Sequence, residues 1–265
     1  MKSLFKLYAR PRLKSPNMVA AWPGIGNVAI IVATYLERKL GFKELAEIEA
    51  FRFFDPIGVV VKDSVVEAPQ FPQSQFYYWK NKGEGSDIIL FIGEDQPAAK
   101  GYELANCVLE VGLSFQVKRI YTCAAALTRI HHTEQPRVWG VATSQQATEN
   151  LKDCDLLQKG NLHISGLNGL LLGVAKERGI EGICLLGEVP TYTTRIQNPV
   201  AALAILKVLT KMLGIKIDMT ELAVLAAETK ERMKQVAAEA MEEYIDLFTE
   251  PIWEYGEEEE DEEEE

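Results

Sequence analysis

Cysteine, histidine and clustered basic charge are all scarce in this 265-residue chain. Its four cysteines, Cys107, Cys123, Cys154 and Cys184, stand far apart and form no CxxC pair. That spacing excludes a disulfide framework and a zinc-ribbon site. Cys107, Cys123 and Cys184 sit in apolar runs, as small core residues do, and free thiols of this kind point to the reducing cytoplasm. No HExxH spacing is present, and no metal site is expected. No run of about 18 apolar residues occurs, so no membrane span is expected. The first six residues lack the long apolar region of a secretory leader. No stripe of Lys and Arg stands out, which argues against nucleic acid as a partner. Ser144 and Ser165 lack the GxSxG frame of a nucleophile elbow. No Lys-Ser/Thr follows a glycine-rich loop, so a nucleotide-triphosphate loop is excluded.

Negative charge is plentiful but confined. Residues 257–265 hold nine acidic side chains and no basic one. Removing nine negative charges from a formal net of −11 leaves −2, so the body is nearly neutral. A run of this kind is self-repelling and is expected to be disordered. Its blander role is to solubilise, in which case deleting it leaves fold and assembly intact. Its sharper role is an arm that docks on a basic surface. Pro251-Ile252-Trp253-Glu254-Tyr255 precedes it, placing two aromatics where a solvated tail has little use for them. The whole chain is 47% hydrophobic, enough for a substantial core in one large α/β domain. The expected organisation is a single domain over 1–250 and an aromatic-then-acidic tail over 251–265.

Apolar periodicity predicts alternating strands and helices. Strands are expected at 17–21, 46–54, 58–66, 75–80, 88–92, 119–125, 137–143 and 182–186. Helices are expected at 27–40, 102–115, 145–152, 169–178, 199–213 and 220–244. Gly41 suits a C-cap, Pro199 a first helical turn, and Asp218 with Glu221 a capping box. Such alternation predicts a three-layer α/β/α sandwich with a mixed, largely parallel sheet. The pieces between 46 and 80 are expected as an antiparallel or hairpin-like insertion.

Ligands in such sheets bind beyond the carboxyl ends of the strands. Four loops fall there: 22–27, 93–97, 126–136 and 187–192. The first carries Trp22-Pro23-Gly24-Ile25-Gly26-Asn27-Val28-Ala29, a GxGxxA match between a strand and a helix. Trp22, Gly24, Gly26 and Asn27 are therefore candidate ligand-binding residues. Glu47 or Glu49 lies about where a ribose-binding acid would be, but a charged, hairpin-like region follows in place of a second βαβ strand. No cofactor is expected. Should the chain be an enzyme, Glu94, Arg129, His131 and Glu188 are the acid–base candidates at the strand ends. Surface histidines and helix-capping carboxylates are the simpler readings of the same residues.

Five stretches together resemble the proteasome assembly chaperone 2 family in its archaeal and bacterial branch. They are Trp22–Ala29 as quoted; Phe91-Ile92-Gly93-Glu94-Asp95-Gln96-Pro97 with Tyr102; Val138-Trp139-Gly140-Val141-Ala142-Thr143-Ser144; Ile164-Ser165-Gly166-Leu167-Asn168-Gly169-Leu170-Leu171; and Glu188-Val189-Pro190-Thr191-Tyr192 with Asn198-Pro199-Val200-Ala201-Ala202. The resemblance implies a phosphorylase/hydrolase-like α/β/α fold and a homo-oligomer. It also implies a chaperone or scaffold role in place of catalysis, with proteasome subunits or another assembly protein as possible partners. Relatives that dock on proteasome α-rings end in a hydrophobic-Tyr-X tripeptide. This sequence departs from that pattern at Glu262–Glu265, and its Tyr255 follows Glu254. Direct docking of that kind is therefore not implied. The alternative is a small-molecule enzyme of hydrolase, transferase or carboxylate–amine ligase type with its site at the strand ends.

Overall fold

A computed structural model describes residues 4–249, except 57, 150, 153, 155 and 158–162. The expected tail over 251–265 lies outside the described residues.

Four apolar runs build the centre of the sheet. They are β2 (Asn17–Ala21), β7 (Ile88–Gly93), β8 (Arg119–Thr128) and β10 (Glu181–Pro190). Both faces of these strands are covered, which is why they read as continuous apolar runs with no alternation. They run parallel in the order β7-β2-β8-β10. On the β7 side the sheet continues through β6 (Ser74–Trp79), β3 (Lys43–Ile48) and β1 (Phe5–Leu7), each antiparallel to its neighbour. On the other side β9 (Val138–Ala142) pairs antiparallel with β10. The order is β1-β3-β6-β7-β2-β8-β10-β9, with β3 and the four central strands pointing one way.

Helices cover both faces. On one, α1 (Val28–Leu40) and α5 (Pro199–Leu213) bury Val32, Leu36, Ile205 and Leu209 against β2, β8 and β10. On the other, α2 (Gly101–Ser114) and α4 (Leu167–Glu177) bury Leu104, Val108, Leu171 and Val174. A fully buried side chain of this size contributes roughly 1.5–3 kcal/mol, so these layers carry most of the stability. Trp22, Phe91 and Phe76 extend the second core as a chain of tilted rings 4.8 and 4.7 Å apart. A short helix, α3 (Gln145–Glu149), follows β9, and the 30-residue α6 (Thr220–Thr249) packs outside α5.

Local chemistry sets the ends. Gly41 takes a left-handed conformation and donates its N–H to the Glu37 carbonyl at 3.0 Å. At α5, Pro199 occupies the first turn and the Asn198 side chain accepts the Ala201 N–H at 2.9 Å. At α6, Asp218 accepts the Thr220 N–H at 3.0 Å, but the expected box is not closed. Glu221 turns to α1 and pairs with Arg38 at 2.6 Å and Lys39 at 2.8 Å.

The region 46–66 departs most from expectation. Strand β3 ends at Ile48, and a single 3-10 turn, Ala50–Arg52, follows. It tucks Phe53 and Phe54 against the second core. The anticipated strand over 58–66 is a separate two-stranded hairpin, β4 (Val61–Lys62) with β5 (Val65–Val66), outside the main sheet. Asp63 and Ser64, both at positive φ, make its turn. Among the described residues, no helix is long and apolar enough to cross a membrane.

Candidate functional site: the crevice at the strand ends

Strands β7, β2 and β8 are neighbours, yet their chain connections leave for opposite faces. The loop after β2 leads into α1 on one face, and the loop after β7 into α2 on the other. A crevice opens at such a switch point. Here it encloses about 400 Å³, bordered by Gly24 and Ile25, by Gln96, by residues 124–128 at the end of β8, and by 163–166 with Asn168. Three of the four anticipated loops therefore meet at one rim, joined by the segment that enters α4.

Two side-chain amides lock this rim together. Asn168 accepts the Trp22 backbone N–H and donates to the Trp22 carbonyl, both at 3.1 Å. Gln96 donates to the Pro23 carbonyl at 2.5 Å and accepts the Leu167 N–H at 2.7 Å. A buried strand end otherwise leaves such groups without partners, at roughly 1–3 kcal/mol each. Gly166, at φ +73°, has no room for a side chain: a Cβ would stand 2.6 Å from the Gln96 amide oxygen. Sequence reading quoted Gln96 and Asn168 inside motifs but missed this task. An amide anchoring backbone across 73 and 146 residues leaves no local periodicity to detect.

The glycine-rich turn has a structural purpose as well. Gly26 is buried at φ +61°, and a Cβ there would lie 2.9 Å from the Asn198 Cβ. Its carbonyl accepts the Asn198 N–H at 2.8 Å. The close approach that needs glycine is thus to the start of α5. Asn27 is left-handed and donates its N–H to the Gly24 carbonyl at 2.9 Å, while Gly24 faces the crevice. The Trp22 ring is fully buried beside Phe91.

The four acid–base candidates do not converge on the crevice, whose described lining includes no carboxylate, lysine or arginine. Glu94 accepts the Gln73 N–H at 2.8 Å, closing the β6–β7 end. Arg129 is exposed on the loop after β8. Glu188, only 3% exposed, accepts the Arg137 backbone N–H at 2.9 Å and its guanidinium Nε and Nη2 N–H groups at 3.2 and 3.3 Å. Such a two-pronged pair fixes the carboxylate in place against Arg137. His131 and Glu188 border a cleft of about 10 Å³, room for roughly one water molecule.

Beside it, His132 is buried against Tyr192. The Tyr192 hydroxyl accepts the His132 backbone N–H at 3.0 Å and shares a hydrogen bond with the ring Nδ1 at 2.9 Å. Burial, and then His131 stacked 4.1 Å away, lowers the His132 pKa. Among the described residues, no group of three or more His, Cys, Asp or Glu comes together to hold a metal.

The model of the PAC2 family matches residues 18–237, from the middle of β2 into α6. The chain belongs to the PAC2 family. An uncharacterised protein of Methanocaldococcus jannaschii is 30% identical over 214 residues, covering 79% of this chain and 78% of that one. Among solved structures, Pyrococcus furiosus PbaB, described as an archaeal proteasome activator, superposes with a TM-score of 0.74 at 31% identity. It covers 88% of this chain and 98% of its own. P. furiosus PbaA, described as an archaeal homolog of proteasome-assembly chaperone, matches with a TM-score of 0.67 at 23% identity, over 89% and 99% of the two chains. In this PAC2 chain parts of four of the five resembling stretches meet in space. Trp22–Ala29, Gln96, Gly166–Asn168 and Asn198 make one bonded cluster around the crevice. The signature is the joinery of the strand ends.

Proposed function

We propose that this PAC2 protein is a homo-oligomeric scaffold with a chaperone-like part in proteasome assembly or activation, acting by binding and not by chemistry. The likeness to PbaB at 31% identity over nearly its full length supports the proteasome connection. The observation that carries the binding reading is the β4–β5 hairpin. Val59, Val60, Val61, Val65 and Val66 are each at least half exposed there, on an element with no place in the main sheet. A lone two-stranded hairpin is marginal in water, and an apolar patch of this kind marks a protein interface. We assign it to the contact between copies.

The crevice fits the same reading. Its anchoring amides are committed to backbone, and the one titratable side chain among its described lining residues is His163. The enzyme alternative therefore has one imidazole at the cavity and no second acid or base among the described lining residues to work with it. Pull-down and size-exclusion with proteasome α-subunits is the direct test. A stable mixed complex supports the proposal. Failure to bind those subunits or any assembly partner, together with turnover of a small molecule lost on blocking the crevice, favours the enzyme.

A further inference from the structure

A second open groove, of about 760 Å³, runs along the outside of the molecule between α5, α6 and the β9 edge. Its floor is apolar, with Leu156, Leu203 and Ala226 among the lining side chains. Among the described residues, Arg137, Lys207 and Lys230 are the charged side chains that border it, and none is a carboxylate. Arg137 is matched by Glu188, and the Lys230 ammonium is held on the rim by the Glu134 carbonyl at 3.2 Å. The groove thus joins an apolar trough to a cationic lip on a body whose formal charge is close to neutral.

The chain carries a segment of complementary chemistry. Residues 251–255 offer Ile252, Trp253 and Tyr255, and residues 257–265 follow with nine negative charges and no positive one. We propose that this groove is the docking site for residues 251–265 of a second copy of the chain. The aromatic side chains lie on the apolar floor, and the acidic run lies along Lys207 and Lys230. The proposal depends on the chain's own tail and stands apart from any proteasome connection.

Length decides between a chain's own tail and its neighbour's. Helix α6 borders the groove through Lys230 and runs on to Thr249. Those 19 residues cover about 28 Å at 1.5 Å each. Trp253 is four residues further, within about 14 Å of extended chain. Along this helix it falls well short of its own groove. The acidic run alone can return that far, and it leaves the apolar floor bare. Only a tail from another copy brings the aromatics and the carboxylates to the groove together.

The test uses a fluorescently labelled peptide of residues 250–265 and the chain truncated after Thr249. Anisotropy should show saturable binding. Lys207→Glu combined with Lys230→Glu should weaken it at least tenfold, and so should replacing Ile252, Trp253 and Tyr255 of the peptide by Ser. Circular dichroism of the charge-reversed chain checks that it is folded. In the full-length protein, a photoreactive phenylalanine at position 253, co-expressed with a differently sized untagged copy, should cross-link the two copies at α5–α6. Absence of saturable peptide binding overturns the proposal. So does binding indifferent to both changes, or a cross-link confined to a single copy.

Discussion

The residues that matter most at the strand ends work by holding backbone. Asn168 satisfies both polar groups of Trp22 inside the core, so Asn168→Ala orphans a buried N–H and a buried carbonyl. At roughly 1–3 kcal/mol for each group, denaturant unfolding should show a loss of about 2–6 kcal/mol. A loss under 0.5 kcal/mol would mean the bridge is incidental. Gly26→Ala should also destabilise, because it combines a left-handed backbone with a Cβ 2.9 Å from Asn198. The burial of His132 predicts a pH effect with a definite sign. The folded state lowers the histidine's pKa, so it binds fewer protons than the unfolded chain. Its contribution is complete above about 6.5, the unfolded value, and is lost as pH falls through 6.5 toward the folded value. His132→Gln should flatten that segment of the stability-against-pH curve; an unchanged curve would assign the effect to another group. The thiols make a simpler case. Burial pushes Cys107 and Cys184 up to about 12, and Cys123 and Cys154 are buried as well. A thiol reagent should find all four slow in the native protein and fast in denaturant.

Elements differ in how much of their origin is local. The hairpin β4–β5 is predicted to be dispensable for folding and needed for association. Val61→Lys with its cross-strand partner Val66→Lys should leave the unfolding midpoint nearly unchanged, since both side chains are about 60% exposed. Light scattering should show a smaller assembly. Loss of the fold instead would make the hairpin part of the core. The same region shows where sequence reading stops. Pro199–Leu213 was legible to the residue, because Pro, Asn198 and Gly214 punctuate both ends. The apolar run of β7 was legible because burial on both faces removes any alternation. The valines at 59–66 have high strand propensity, but propensity does not say which sheet a strand joins. Strand β1 was missed because three residues with one exposed lysine carry no period. Glu221 fitted a capping box by spacing, yet two cations on α1 outcompete one backbone N–H. The crevice was located from topology alone. Its amide locks were not, since they join residues far apart in sequence.

For the whole molecule, the three-layer frame places the parallel strand ends at one rim and leaves two surfaces that do not look finished. One is the valine hairpin at the β3–β6 side of the chain. The other is the cation-lipped groove beside α6. A PAC2 scaffold acting through such surfaces needs no proton-transfer residues, and the opening glycine turn fits that reading. Gly26 serves a tight junction between β2, α1 and the start of α5, while Gly24 faces the crevice. The turn therefore belongs with the frame that presents the interfaces. The most direct measurement is size-exclusion chromatography with light scattering of the full chain, alone and mixed with proteasome α-subunits from the same source. The account predicts a multiple of the 29.6 kDa chain mass alone, and a heavier peak containing both proteins in the mixture. A 29.6 kDa species in both runs, with the α-subunits eluting separately, would contradict it.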